Sequence, residues 1–213
     1  RRSRGLGDVY KRQIQNILAP MKLTSLTIGD DFRFGINRQG DFNLLRRWGA
    51  NNNIDVSNTD TFKYLDERVS STRIRKALSD NDFDLAKNLL GRRYTFSGKV
   101  VHGQHLGRTI DVPTANLWLP KQKLPISGVY AVQCKLNGEL LDGIANMGIR
   151  PTVGGTMPVL EVHLFDFSQD IYAQRLEVDF KHKIRHEKKF KNLDMLKSQI
   201  GKDITLAKTL LQK

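Results

Sequence analysis

From Tyr94 onward the chain breaks into short β-rich segments, and this constrains the fold more than any other feature. "YTFSGKVVH", "GVYAVQCKL", "ELLDGIANM", "LEVHLFDF" and "LEVDFKHKI" are each the length of one strand, with Gly, Pro or Asn between most of them. Asn137-Gly138 joins two of them and is the strongest short-range hairpin signal in the chain. Five or six strands with intervening loops predict a small β-barrel. A helix closes the chain, with Phe190, Leu193, Leu196, Ile200, Ile204 and Leu210 at three- and four-residue steps and Gly201 weakening its middle.

The segment before it has a different texture. From Ile14 to about Leu90, strand-like and helix-like stretches alternate, which predicts an α/β unit with a parallel sheet. "LTSLTIGDDF" (Leu23 to Phe32) reads as a short buried strand running into a loop. Asp41 is placed to cap a helix carrying Phe42, Leu44, Leu45 and Trp48. "SSTRIRKALSDNDFDLAKNLLG" reads as helix, capped by Ser or Thr, broken at "SDND" and ended by Gly91.

Charge narrows the partners. The net charge is +13, and "RRSRGLGDVYKRQ" at residues 1–13 carries +4 of it with no hydrophobic period. These thirteen residues are treated as a basic tail outside the fold. The charge suggests an anionic partner, which could be nucleic acid, a nucleotide or a membrane surface; the remainder is spread thinly, with no block of five like charges, so no dedicated nucleic-acid arm is expected. No apolar run approaches the roughly 18 residues of a membrane span, and no signal peptide is visible. The single cysteine, Cys134, excludes an internal disulfide and a multi-Cys zinc site, so a reducing, cytoplasmic home is expected, with no membrane or nucleic-acid partner.

Three stretches carry candidate chemistry. "GKVVHGQHLGRTIDVPTANL" holds Gly103 and Gly107, followed by Arg108. Glycines let backbone N–H groups approach phosphate, and Arg adds forked donors. The spacing is neither Walker A nor GxGxxG, and the loop reads equally as a β-turn. Thr114 and Asn116 would share one face of a strand and offer two hard oxygens, which suit Mg²⁺ together with nucleotide phosphates. Their alternative is an Asx- or Thr-turn. In "LEVHLFDF", Leu160, Val162 and Leu164 point one way, and Glu161, His163 and Phe165 the other. Glu161 is a candidate general base, against the plainer reading of a solvated strand carboxylate. "GIRPT" (Gly148 to Thr152) adds an Arg-Pro turn that meets phosphate or caps a strand.

Taken together, "GRTIDVPTANL", "LPISGVYAV", "GIANMGIRPTVGG", "LEVHLFDF" and "RHEKKF" resemble the riboflavin kinase domain, in that family's order and spacing. "GDDFRFG", "RQGDF", "SSTRIRKAL" and "AKNLLGRRY" resemble the adenylyltransferase domain of the bacterial bifunctional riboflavin kinase/FMN adenylyltransferases, the FAD synthetases. The resemblance implies an α+β chain: a partial α/β, Rossmann-like nucleotidyltransferase domain at 14–80 and a connecting helix at 81–93. A six-stranded antiparallel Greek-key β-barrel with a C-terminal helix would follow at 94–213. It implies ATP and riboflavin as substrates, FMN as product, and Mg²⁺ held with the ATP phosphates by Thr114 and Asn116. Glu161 would be the catalytic base. Gly103, Gly107 and Arg108 would fold over the nucleotide, and Arg185 would border the flavin. Ser71, Thr72 and Arg75 would be a residual adenylyltransferase site near the ATP phosphates, in a cluster that reads equally as a helix N-cap.

The chain departs from the family at Asp111, where Gly is usual. Asp tolerates φ > 0 better than most residues, but its carboxylate repels phosphate. None of the five histidines stands in the His-x-Gly-His loop on which adenylyl transfer relies in that family, so FAD synthesis is expected to be lost. Two other readings remain at this stage: an inactive flavin- or nucleotide-binding remnant, and a basic β-barrel that binds RNA.

Overall fold

The computed structural model of the chain describes residues 12, 14–103, 112–119, 124–152 and 155–212, with backbone only at 150–152, 155 and 156. Contacts divide it into two compact units, the first ending at Val69 and the second beginning at Ser70.

The first unit is a β-α-β arrangement. Strands β1 (Ser25–Gly29) and β2 (Asp55–Thr59) pair in parallel, from Ser25 opposite Asp55 to Gly29 opposite Thr59. Helix α1 (Phe42–Ala50) lies between them in sequence. Asp41 caps it as expected, its carboxylate accepting from the Leu44 N–H at 2.9 Å. Ile14, Leu45 and Val56 are buried together, with Leu26, Ile28, Phe34, Phe42 and Trp48 packed against them. Gly49 permits the close approach of α1 to β2: a Cβ there would stand 2.6 Å from the Ile54 carbonyl oxygen. Strand β1 is not buried as expected. Leu26 and Ile28 are half-buried while Ser25 and Thr27 are exposed, because this sheet has two described strands and one apolar face. A short hairpin of β3 (Lys63–Tyr64) and β4 (Glu67–Arg68) follows.

The second unit opens with helices α2 (Ser71–Ser79) and α3 (Phe83–Leu90). Ser70 and Asp82 cap them through side-chain oxygens, and Gly91 ends α3 at φ 70°. The contact division falls before the boundaries expected at residues 80 and 93. Phe83 accounts for part of this: its ring lies 6.4 Å from that of Phe180 and 5.9 Å from that of Tyr130, both in the barrel.

Six strands make that barrel: β5 (Thr95–Val101), β6 (Ala115–Leu117), β7 (Gly128–Leu136), β8 (Glu139–Thr152), β9 (Gly155–Leu164) and β10 (Arg175–Arg185). They close in the order β10-β5-β6-β9-β8-β7, every pair antiparallel. Asn137 and Gly138 turn β7 into β8 at φ 49° and 94°, the two positive angles of a type I′ turn. Tyr130, Val132, Cys134, Leu160, Val162, Leu176 and Val178 fill the interior. Helix α4 (Leu193–Leu211), capped by Asn192, packs on the outside. It covers Val129, Ala131, Ile144 and Phe165 with Ala207, Ile204 and Leu211. Strand β7 is therefore buried on both faces, which is why "GVYAVQCKL" reads as a nearly continuous apolar run.

Burial pushes Tyr94, Tyr130 and the Cys134 thiol each up to about 12. A raised acid is held neutral by the fold, so its contribution to stability is complete below the unfolded-state value and lost as pH rises toward the folded one. Urea midpoints are accordingly expected to decline from about pH 9, where an unfolded thiol begins to ionise, with the tyrosines adding to the loss above about pH 10. A midpoint that stays constant from pH 9 to 11.5 would contradict this.

Candidate active site

Alternation along β9 separates two chemistries. Leu160, Val162 and Leu164 point into the barrel, while Glu161 and His163 point out, into a cavity of about 370 Å³ on the outer face of the barrel. Register supplies their neighbours. Asn116 of β6 stands opposite Glu161 on one side and Asn146 of β8 on the other. Directly opposed residues share a face, with Cβ atoms roughly 5 Å apart. One row across three strands thus reads amide, carboxylate, amide, and all three side chains line the cavity.

Thr114, immediately before β6, lines the same cavity. Gly103, just past the end of β5, packs so closely on Asn116 that an added Cβ would run into the Asn116 amide nitrogen. Asn116 is itself nearly buried, so its amide is confined between strand and glycine.

The opposite wall comes from the C-terminal segment. Leu193, Leu196 and Ile200 present an apolar face, joined by Phe190. Arg185 and Asp203 hold this wall together. The Arg185 Nε donates to Asp203 Oδ2 at 2.8 Å, and Gln199 Nε2 donates to Asp203 Oδ1 at 2.8 Å. Arg185 Nη1 also donates to the His186 carbonyl at 3.0 Å, and its guanidinium lies 5.7 Å from the centre of the Phe190 ring. A carboxylate this deeply buried is costly to leave without partners, and Arg185 and Gln199 supply them. Glu187 lines the cavity too, its carboxylate lying where a Cβ on Gly148 would stand.

A second cavity, of about 330 Å³, lies beside the first, lined among others by Val100, Pro113, Leu164, Phe167 and Tyr172. Among the described residues, Thr114 is the one that lines both.

The structure thus brings Thr114, Asn116, Glu161 and Arg185 to one cavity and packs Gly103 against it. Gly107, Arg108 and Asp111, and the side chain of Arg150, lie outside the described residues. Ser71, Thr72 and Arg75 lie on α2 with exposed side chains and line neither cavity. The capping hydroxyl of that cluster is Ser70, which accepts from the Arg73 N–H at 3.2 Å. Asn146, Asp203 and Glu187 were not singled out from sequence. Asn146 had a legible signal, a polar side chain within the apolar alternation of "GIANMG". Asp203 had one as well, standing one turn from Ile200 and Ala207 on the apolar stripe of α4.

The donor set bears on a metal. Among the described residues no group of three or more His, Cys, Asp or Glu could hold an ion. The Thr114 hydroxyl and the Asn116 amide oxygen are hard neutral donors, a chemistry that fits Mg²⁺.

The family model for riboflavin kinase matches residues 90–211, more than half of the chain. The chain belongs to the riboflavin kinase family. A second model, FAD synthetase, matches residues 9–73. The chain is 50% identical over 204 residues to the bifunctional riboflavin kinase/FMN adenylyltransferase of Haemophilus influenzae, covering 95% of this chain and 66% of that protein. It is 48% identical over 184 residues to that of Escherichia coli K12, covering 86% and 59%. The riboflavin kinase family member described here thus spans about three-fifths to two-thirds of the length of these curated relatives. A solved structure named as a macrolide-efflux protein from Streptococcus pneumoniae shares the fold at a TM-score of 0.68 and 31% identity, covering 92% of this chain and 63% of that one. No helix among the described residues is long and apolar enough to cross a membrane. The family match does not favour the reading as an RNA-binding barrel.

Gly103→Ala is expected to keep the barrel and to turn the Asn116 side chain out of its place. A crystal structure of the variant reads this directly, and an unmoved Asn116 amide would refute the confinement.

Proposed function

We propose that this riboflavin kinase family member transfers the γ-phosphate of ATP to the 5′-hydroxyl of riboflavin, giving FMN and ADP. The observation that carries the reading is the position of Thr114 on the wall shared by two cavities, with Glu161 and Asn116 beside it in one of them. The larger cavity, with Val129, Ile144, Leu193, Leu196 and Ile200 in its lining, has the apolar walls and few polar groups that a flavin ring needs. The smaller one would take the nucleotide, so that its terminal phosphate meets the flavin hydroxyl near Thr114.

In this arrangement Glu161 accepts the proton of the 5′-hydroxyl. The freed oxygen pair forms the new bond to the γ-phosphorus, the bond from that phosphorus to the bridging oxygen breaks, and ADP leaves with the electron pair. Asn116 and Asn146 flank Glu161 in the strand register, on the cavity side of β9. Thr114 and Asn116 are the residues that would hold Mg²⁺ with the phosphates. An Mg²⁺ ion held there would supply positive charge to offset that of the phosphates. Arg185, fixed by Asp203, keeps the apolar wall in place while the flavin ring is bound.

The direct test is incubation with riboflavin, ATP and Mg²⁺, followed by chromatography for FMN. No FMN from folded protein would refute the proposal. Glu161→Gln is expected to lower kcat by roughly 10²- to 10⁴-fold, the usual worth of a general base, while nucleotide affinity stays. Near-normal turnover would remove Glu161 from that role. Thr114→Ala and Asn116→Ala should each raise the half-saturating concentrations of Mg²⁺ and ATP together, by about tenfold or more, as expected for one lost bond to a charged group. An altered riboflavin requirement with unchanged metal dependence would contradict the metal assignment.

A further inference from the structure

Strand β6 has three residues, and its pairing with β9 runs from Leu117 opposite Leu160 to Ala115 opposite Val162. Carried one step further, that register puts Thr114 opposite His163. The ladder stops there. The next residue, Pro113, has no N–H to donate, so β9 can hold this part of the chain only through the Pro113 carbonyl. It does so with a side chain: His163 Nδ1 lies 2.8 Å from the Pro113 oxygen. A carbonyl oxygen accepts and never donates, so the hydrogen must be on Nδ1, which in a neutral ring leaves Nε2 bare.

We infer that His163 is the positioning residue for Thr114, replacing with its ring N–H the ladder bond that Pro113 ends. Thr114 is then held on both sides. Ala115 is fixed by the β6–β9 ladder, and the Pro113 carbonyl is fixed by His163. The ring of His163 is steadied in turn by the edge of Phe165, at 5.9 Å between centroids, and Phe165 is buried in the core beneath α4. The hydroxyl of Thr114 is thereby tied to the body of the barrel, although its segment has left the sheet. This explains why the outward face of β9 carries a histidine two residues after Glu161: one side chain faces the reacting hydroxyl, and the next on that face sets the loop that meets the phosphates. The inference rests on the proposed role of Thr114 as a nucleotide–metal ligand.

Two measurements test it. On the unaltered protein without ligands, nitrogen-15 NMR of the imidazoles, recorded on the alkaline side of their titration, is expected to show His163 with hydrogen on Nδ1. Hydrogen on Nε2 would overturn the inference whatever the variants do. In calorimetric titrations, His163→Leu is expected to weaken binding of Mg²⁺–ADP about tenfold, the scale of one lost hydrogen bond. His163→Asn, which keeps a side-chain N–H near the position of Nδ1, should recover most of the loss. Unchanged Mg²⁺–ADP affinity in His163→Leu, or no recovery in His163→Asn, would each overturn the positioning role. Thr114→Ala separates the two levels. If it weakens Mg²⁺–ADP binding and His163→Leu does not, only the positioning role falls. If Thr114→Ala itself has no effect, the assignment of Thr114 falls and takes this inference with it. Because the tautomer is read on the unaltered protein, a variant that fails to fold does not remove the test.

Discussion

Barrel closure is the constraint on which the rest of the second unit depends. A closed sheet has an inside and an outside, and every strand must sort its side chains between them. Strand β9 does this most cleanly, sending Leu160, Val162 and Leu164 in and Glu161 and His163 out. A slip of one residue would exchange those sets, burying a carboxylate and exposing three aliphatic side chains. The apolar demand of the interior therefore fixes the orientation of the face that carries Glu161 and His163. The same register sets Asn116 and Asn146 on either side of Glu161, so the site inherits its geometry from the hydrophobic core.

The outer face would be an ordinary wet surface without α4. That helix uses one stripe for two purposes. Its C-terminal part, at Ile204, Ala207 and Leu211, packs onto the barrel. Its N-terminal part, at Leu193, Leu196 and Ile200, lines the cavity. Asp203 lies where the two meet, nearly buried and bonded to Arg185 and Gln199. A buried ion pair is weak evidence for stability, since desolvation offsets much of the attraction. Its contribution here is geometric: it fixes the end of β10 to α4 at one height and so sets the width of the cavity.

Much of the second unit was legible because its signals are local. Asn137-Gly138 names its turn, since both positions need φ > 0. The boundaries of β7 match "GVYAVQCKL" from end to end. The cap at Ser70 follows from a hydroxyl placed just before an amphipathic helix. Less was legible in the first unit. Strand β2, "DVSNT", has one buried residue, Val56, and forms because parallel pairing with β1 satisfies its backbone. The hairpin of β3 and β4 turns through Leu65 and Asp66, both at positive φ, with none of the glycine that usually marks such a turn. Burial of β1 was overestimated because alternation predicts which face is apolar and leaves open how many layers cover it.

The sequence by itself determined local matters: the extent of β7, the Asn137-Gly138 hairpin, the cap at Asp41, the alternation that separates Glu161 from the core, and, through its motifs, membership of the riboflavin kinase family. Periodicity and turn chemistry depend on near neighbours, so a linear string carries them. Only the tertiary structure decided which distant residues share a surface. Asn146, thirty residues from Asn116, joins it across Glu161 by strand order alone, and Asp203 reaches Arg185 by the path of the chain around the barrel. Thr114 stands on the wall of two cavities because a proline ends its ladder and a histidine fifty residues away continues the hold. Such meetings depend on how a closed sheet orders its strands, and no periodicity along the chain encodes that order.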